Sequence, residues 1–308
     1  MVKISVVTTL YKSEQYINEF IKRTKKVLLK NKFNDYEIIF VNDGSPDNSS
    51  KVLNQICEND DKIVFIDLSR NFGHHKALMT GLKYSKGDLI YLLNSDLEEE
   101  PEWFDIFYNE IVRKKNDLVY GFQNHRSGNI FNRFFGNMYY RLISYFLDVN
   151  HPQNSTTARL MTRKYLESFL KHKEKQFVIS GLFALTGYNQ IGIEVHRKLT
   201  SPTTYTFQKK SLIMLHMLTS MSSKPLIVIF VLGTIITLIS SMIIIYLLIS
   251  KLFFSGYYEG WVSIIMTILF MGGLIIMMQG IIGLYIASIN EEVKNRPLTI
   301  IKSIKNKK

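Results

Sequence analysis

Five carboxylates crowd the end of one short apolar run. Gly87-Asp88-Leu89-Ile90-Tyr91-Leu92-Leu93 reads as a buried strand, and Asn94-Ser95-Asp96-Leu97-Glu98-Glu99-Glu100-Pro101-Glu102 follows it. A strand that empties into Asp96, Glu98, Glu99, Glu100 and Glu102 puts hard oxygen ligands at the carboxyl edge of a sheet. Open α/β sheets bind their ligands at that edge. Such oxygen clusters suit Mg²⁺ or Mn²⁺, ions that share their coordination with substrate phosphates. The same residues also read as an acidic helix start, with Pro101 at a first helical position and carboxylates favoured by the helix dipole.

The elements that would hold this cluster lie upstream. Ile4-Ser5-Val6-Val7-Thr8-Thr9 is β-branched and reads as a first strand. Ser13 is an N-cap for a helix running to about Lys30. Residues 37–41 form the second strand, which ends in Asn42-Asp43-Gly44-Ser45-Pro46-Asp47, a turn of Asx, Gly and Pro chemistry. A helix follows, then a third strand at 63–66. The loop after it, 68–76, leads into a helix to about Tyr84. Alternating strands and helices with short links predict a parallel sheet covered on both faces. Loops after successive strands of such a sheet gather on one edge. The first loop offers Thr8, Tyr11 and Glu14, the second Asp43, and the fourth Asn94, Asp96 and Glu98. Together these side chains could hold a base, a ribose and a metal-bound diphosphate. Each alone is a weak signal, since Asp-Gly-Ser is more often only a turn.

Composition divides the chain. Its 308 residues are 46% hydrophobic and carry a formal net charge of +12. No charged residue occurs from 225 to 250, or from 260 to 290. At about 1.5 Å of rise per residue, either run exceeds the roughly 20 residues that cross a bilayer, so two spans are predicted. Lys209, Lys210 and Lys224 flank one side, and Lys294, Arg296, Lys302, Lys305, Lys307 and Lys308 the other. By the positive-inside rule both termini and the domain before the spans face the cytosol. Basic residues beside apolar spans point to an anionic membrane surface and not to nucleic acid. Tyr257, Tyr258 and Trp261 stand where an interfacial aromatic belt belongs, and residues 207–221 read as a helix lying on the surface. Arg126, Arg133 and Arg141 alternate with Phe131, Phe134, Phe135, Tyr139 and Tyr140, the pattern of an interfacial helix. Core packing and base stacking are the other readings of that stretch. The one cysteine, Cys57, excludes an internal disulfide, and no cleavable signal peptide is visible.

Three motifs together carry a resemblance: Asn42-Asp43-Gly44-Ser45, Ser69-Arg70-Asn71-Phe72-Gly73, and Asn94-Ser95-Asp96-Leu97-Glu98-Glu99-Glu100-Pro101-Glu102. They resemble the family 2 glycosyltransferases, and within them the polyprenyl-phosphate branch of dolichol-phosphate mannose synthases and bactoprenol glucosyltransferases. The likeness continues at Asp117-Leu118-Val119-Tyr120-Gly121, at Arg159-Leu160-Met161, and in Gly280-Ile281-Ile282-Gly283-Leu284-Tyr285 and Glu291-Glu292-Val293-Lys294-Asn295-Arg296-Pro297.

What the resemblance implies is an α/β GT-A fold, a nucleotide-sugar-binding, Rossmann-like, mostly parallel sheet, followed by two transmembrane helices. The implied division is a catalytic domain over 1–205, a juxtamembrane segment over 206–224, spans over 225–250 and 261–289, a short external loop over 251–260, and a basic cytosolic tail over 290–308. The implied enzyme is an inverting hexosyltransferase of the inner (cytoplasmic) membrane, multi-pass, serving cell-envelope glycans such as lipopolysaccharide. It moves a sugar from a UDP- or GDP-sugar to polyprenyl phosphate, with Mg²⁺ or Mn²⁺ at the diphosphate. Carried over residue by residue, Asn94, Asp96 and Glu98 hold the metal. Thr8, Tyr11, Glu14, Asp43, Arg70, His74 and Asn94 hold the donor. Asp96, Arg126, Arg133 and Arg159 serve catalysis, the arginines holding an acceptor phosphate.

This sequence also departs from the family's motifs. Asn42 replaces the first Asp of the turn motif and leaves Asp43 as the base contact. Asn94 replaces the first metal-site Asp, and Glu98 stands at the family's Gln and returns one negative charge; loss of the site is the rival reading. His74 stands where the family often has Lys, as a phosphate donor or as helix-start packing with His75. Thr204 takes the place of a loop lysine, whose role would pass to Arg197, Lys198 or Lys209, or be lost. A phosphate acceptor is already an anion and needs no general base, whereas a sugar hydroxyl on a lipid-linked glycan requires one. Glu194 is the nearest carboxylate for that second reading. A silent nucleotide-sugar-binding scaffold is the third. Gly280 and Gly283 allow close helix packing in lipid, as a homo-oligomer or as an internal hairpin.

Overall fold

The computed structural model describes residues 3–123, 154–197, 224–254 and 261–306. They form two units. Residues 3–123, 154–197 and 296–306 build an α/β unit, and 224–254 with 261–295 build a helical one.

In the α/β unit, strands β1 (Ile4–Leu10), β2 (Tyr36–Asn42), β3 (Ile63–Leu68) and β4 (Leu89–Leu92) are buried at every residue. Strands covered on both faces have no solvent side to alternate with, so they read as unbroken apolar and β-branched runs. Helices α1 (Ile17–Lys30), α2 (Ser49–Asn59), α3 (His74–Tyr84) and α4 (Phe104–Lys114) link and cover them. α1 buries Ile17, Phe20, Ile21, Thr24, Val27 and Leu28, one face at helical spacing. Phe20 meets Phe40 of β2 edge-on, with ring centroids 5.6 Å apart. Cutting such a buried ring back to alanine costs about 3–5 kcal/mol. Ser13 precedes a 3₁₀ turn, Glu14–Tyr16, and its hydroxyl donates to the Tyr11 carbonyl instead of capping α1.

After α4 come β5 (Leu118–Phe122), β6 (Ser155–Thr162), α5 (Arg163–Phe169), α6 (Ile179–Leu185) and β7 (Gln190–Glu194). The helical unit holds α7 (Lys224–Phe254) and α8 (Trp261–Val293), and the chain then returns to the sheet as β8 (Ile301–Lys305). The order across the sheet is β7-β5-β6-β4-β1-β2-β3-β8. Four neighbouring pairs are parallel and three are antiparallel. The sheet is mostly parallel, as expected, with two exceptions: β1 to β5 and β7 run the same way, and β6 and β8 enter against them.

This order creates the site. The chain lays β1, β2 and β3 side by side, then crosses back to place β4 on the other flank of β1. Ligands of open α/β sheets bind beyond the strand carboxyl ends at such a reversal. There the Leu93 amide donates to the Val7 carbonyl (3.2 Å) and the Ser95 hydroxyl to the Thr9 carbonyl (2.9 Å).

The last strand was not legible in the sequence, where its residues read as part of a basic tail. β8 runs antiparallel to β3, with Ile304 opposite Ile66 and Ser303 opposite Asp67. The Asn306 amide group reaches the carbonyls of Cys57 (2.7 Å), Asp60 (3.1 Å) and Ile63 (3.1 Å). Lys302 lies 3.6 Å from the Asp67 carboxylate.

In the helical unit, α7 has 31 residues and α8 has 33. Phe230, Met242, Ile268 and Ile276 are exposed on them. Among the described residues, Leu274–Val293 is long and apolar enough to cross a membrane by length and composition, and Leu226–Ile236 is a shorter apolar stretch.

Candidate active site

At the end of β1, neighbouring threonines part ways, because successive strand side chains point to opposite faces. Thr8 is fully buried and its hydroxyl has no partner, so it does not reach the donor side, contrary to expectation. Thr9 takes that place. Its Oγ1 lies 3.0 Å from His74 Nδ1. Thr9, Leu10, Tyr11, Asp43, Asn71 and His74 line a cleft of about 120 Å³. Tyr11 is half exposed there, free to stack on a planar ligand.

Asp43 enters the cleft wall already engaged. One carboxylate oxygen accepts from the Phe72 amide (2.7 Å), the other from the Gly73 amide (3.0 Å). Burial raises its pKa, against these two donors and the charge of Arg70. Asp43 thus fastens the Arg70–Gly73 loop to the end of β2, and only its remaining lone pairs can meet a base. Gly44 makes this possible: its φ is +62° and a Cβ there would lie 2.4 Å from the Asn71 nitrogen. Arg70 is exposed, with its guanidinium 4.2 Å above the Phe72 ring. Glu14 lies elsewhere. It accepts from the Asn48 amide (3.1 Å) and lines a separate depression with Lys12, Gln15 and Asp47, which removes it from the cleft residues.

The histidines are not cations at neutral pH. Desolvation pushes His75 down to about 4, with the charges of His74 and Arg159 adding to it. The same cause lowers His74, although that ring keeps an exposed edge, so water offsets part of the effect and the direction is what holds. His74 thus meets Thr9 as a neutral ring at the start of α3.

The acid burst splits into separate tasks. Asp96 Oδ1 accepts from the Glu98 amide (3.1 Å), closing a turn in which Leu97 has φ +59°. Burial raises the Asp96 pKa. Glu98, buried to 4%, pairs with Arg197 at 2.7 Å, and the same guanidinium lies 3.9 Å from Asp96. Glu98 is therefore not the open ligand expected of it. Glu99, fully buried, accepts from the amides of Asn94 (3.0 Å) and Thr157 (2.7 Å) and ties the end of β4 to β6. Glu102 forms an ion pair with Arg23 of α1. The sequence singled out Glu99 only as one of the acid cluster, and it did not point to Thr157, or to Thr9 and Asn71 as cleft residues. Nothing in residue type separates Glu99 from its neighbours; only its place opposite β6 does.

Arg159 also has a different task from the one expected. It is 2% exposed, and its Nη1 donates to the carbonyls of Thr156 (2.7 Å) and Thr157 (3.0 Å). Its guanidinium lies 4.6 Å from the Phe183 ring centroid. Burial lowers its pKa to about 10, so it remains a cation, but one that braces β6 and faces Glu99 instead of a lipid phosphate. Arg126, Arg133, Arg141, Lys198, Thr204, Lys209, Tyr257, Tyr258 and residues 207–221 lie outside the described residues.

Asn94 supplies the test of a metal. Its Nδ2 donates to Thr157 Oγ1 (3.3 Å), while its Oδ1 is buried without a hydrogen-bond partner. A buried orphan acceptor costs free energy unless something cationic or hydrogen-bearing meets it. Among the described residues no group of three or more His, Cys, Asp or Glu is placed to hold a metal. Mg²⁺ and Mn²⁺ do not need one, since one or two carboxylates plus substrate phosphates suffice. Asn94 Oδ1 and the Asp96 carboxylate fit that kind of half-site.

A cleft at the β1/β4 reversal, with oxygen donors just beyond β4, is that of an open α/β sheet that binds its ligand beyond the strand carboxyl ends. The model of "Glycosyl transferase family 2" matches residues 5–170. A chain of Mycobacterium tuberculosis that carries a glycosyltransferase name is 40% identical, over 98% of this chain and 88% of that one. The uncharacterized glycosyltransferase YkcC of Bacillus subtilis is 33% identical, over 100% and 96% of the two chains. A prophage-derived bactoprenol glucosyl transferase of Shigella flexneri is 29% identical, over 97% of each. The chain belongs to glycosyl transferase family 2. It is a glycosyltransferase, and its mixed sheet is GT-A-like.

Proposed function

We propose that this glycosyltransferase is an inverting enzyme of the cytoplasmic membrane that transfers a hexose from a UDP- or GDP-sugar to polyprenyl phosphate. The observation that carries this reading is the Ser95 hydroxyl's bond to the Thr9 carbonyl at the β1/β4 reversal, which fastens the Asn94–Asp96 turn to the strand whose end lines the Thr9–Tyr11–Asp43–Asn71–His74 cleft. The cleft suits a nucleoside, with Tyr11 as a stacking surface and Asp43 at the base edge. Asn94 and Asp96 suit the diphosphate side. When bound there, Mg²⁺ or Mn²⁺ neutralises charge developing on the leaving diphosphate. Asp96 holds that position through a turn, and Glu99 holds the loop through the Asn94 amide.

The acceptor reading rests on a relative's name. Glu194, the carboxylate considered as a base, is exposed at the end of β7. A phosphate acceptor needs no base, because it attacks as an anion. The Shigella flexneri relative is named for bactoprenol, a polyprenyl carrier. Arg126 and Arg133 are proposed as the cations that receive the lipid phosphate. We assign both α7 and α8 as spans, with the catalytic domain and both termini on the cytosolic side, from the charge-free runs and their basic flanks.

The test supplies membranes containing the protein with labelled UDP- and GDP-hexoses, undecaprenyl phosphate and Mg²⁺ or Mn²⁺. The expected product is a lipid-linked sugar released by mild acid, absent with Asp96→Asn although that variant is expressed and inserted. An acid-stable glycoside would instead indicate a hydroxyl acceptor. Full activity in Asp96→Asn would overturn the assignment of that carboxylate.

A further inference from the structure

The cation resting on the acid cluster is part of the protein. Arg197 Nη2 is 2.7 Å from Glu98 Oε2 and 3.9 Å from Asp96 Oδ2, while its Nε is buried without a partner. It follows β7, far along the chain from the turn it neutralises, so its arrival there is a tertiary event. Its guanidinium is anchored through the carboxylates and not by a full set of donors and acceptors. The Glu98 side chain is almost wholly buried at 5% exposure, where charge pairs are screened little by water. A guanidinium and a divalent ion compete for these oxygens, because two cations a few ångströms apart repel.

We propose that Arg197 is a resident counter-cation that occupies the divalent ion's side of Glu98 and Asp96 and is exchanged for that ion when it binds. This rests on the metal reading of Asn94 and Asp96 given above. Arg197 balances the charge of Glu98 directly and that of Asp96 at longer range. With the ion held by Asn94 and Asp96, Glu98 would lose its guanidinium partner to it, and Arg197 would be available to an anionic diphosphate. Metal affinity in the absence of donor is therefore held down by the protein itself, and the donor phosphates tip the balance by offering Arg197 a new partner.

The experiment measures free Mn²⁺ by electron paramagnetic resonance while the purified full chain, in detergent and without nucleotide or lipid, is titrated with MnCl₂. Arg197→Ala is expected to bind Mn²⁺ about tenfold more tightly than the unaltered protein, the size of one charge-assisted hydrogen bond. Arg197→Lys, which keeps the charge without the planar fork, is expected to tighten binding by less, and it carries the test if the alanine variant fails to fold. Thermal melting followed by circular dichroism reports folding in each case. Unchanged or weaker Mn²⁺ binding in a folded Arg197→Ala, or in Arg197→Lys where it stands alone, overturns the exchange. If neither the unaltered protein nor the variants bind Mn²⁺ at all, and Asp96→Asn makes no difference, the metal reading itself fails.

Discussion

Asn42 donates from Nδ2 to Asp67 Oδ1 across 2.7 Å, the two residues standing opposite each other in register on β2 and β3. Asn42 Oδ1 in turn accepts from the Ser45 amide (3.1 Å), so one side chain closes the turn and satisfies a buried carboxylate. The family's usual Asp at position 42 would face Asp67 as a like charge. Asn42→Asp is expected to destabilise the fold by about 3 kcal/mol, the scale for an unpaired buried charge. Two carboxylates so close raise one another's pKa. A raised acid pKa gives stability that is present at low pH and lost as pH rises, so the deficit should shrink toward pH 4. Urea unfolding of the variant at pH 7 and pH 4 checks both points; an equal deficit at the two values would count against the pairing.

Gly44 holds the Arg70–Gly73 loop at close range. Gly44→Ala meets both a left-handed backbone, at about 1–2 kcal/mol, and a Cβ contact of 2.4 Å with the Asn71 nitrogen. The Arg70–Gly73 loop must shift, carrying Asn71 and His74 of the cleft with it. Donor KM should rise about tenfold or more, an effect of about 1.4 kcal/mol, with a smaller change in kcat. Steady-state kinetics over donor concentration separates the two.

Glu99 joins β4 to β6 through two backbone amides, and burial raises its pKa. Glu99→Gln must turn an amide N–H₂ toward one of those donors. The expected loss is about 1–3 kcal/mol, from one buried donor left unsatisfied. Because the Asn94 amide is one of the two, Mn²⁺ binding should weaken along with the urea midpoint. A variant of unchanged stability would show that this carboxylate does not hold the loop.

Histidine burial sets an acid limb for stability. His75 goes from an ordinary 6.5 to about 4 in the fold, so the unfolded chain takes up the proton first as pH falls. Stability tied to His75 is therefore complete above about pH 6.5 and declines toward pH 4. Asp43, Asp96 and Glu99, whose pKa values are raised, work in the opposite sense as they protonate. His75→Gln should flatten the fall of Tm between pH 6.5 and pH 4, and a slope identical to that of the unaltered protein would refute the assignment.

The first four strands were legible because burial on both faces leaves an unmistakable apolar signature, and the turn at Asn42–Asp47 announced itself by its Asx and Gly residues. That same double burial hid which threonine faces the cleft: with no polar side to mark the register, Thr8 and Thr9 look alike. The acid burst pointed to the right place, yet a tight turn at Leu97 sends Asp96, Glu98 and Glu99 to different partners. Two of those partners, Arg197 and Thr157, arrive from the far half of the α/β unit, where spacing carries no information. Arg159 matched a motif, but its burial came from β6 entering antiparallel beside β4, which no local pattern announced. Ile301–Lys305 is too short and too rich in lysine to stand out as a strand.

The position of β8 in the chain has a consequence for biosynthesis. A ribosome releases both long helices before it releases the residues that cover the outer side of β3. During that interval the sheet presents a row of unsatisfied backbone groups to other polypeptides. Translation that stalls between residues 261 and 300 leaves the α/β unit incomplete, and such fragments are expected to clump or be degraded instead of accumulating as a working enzyme.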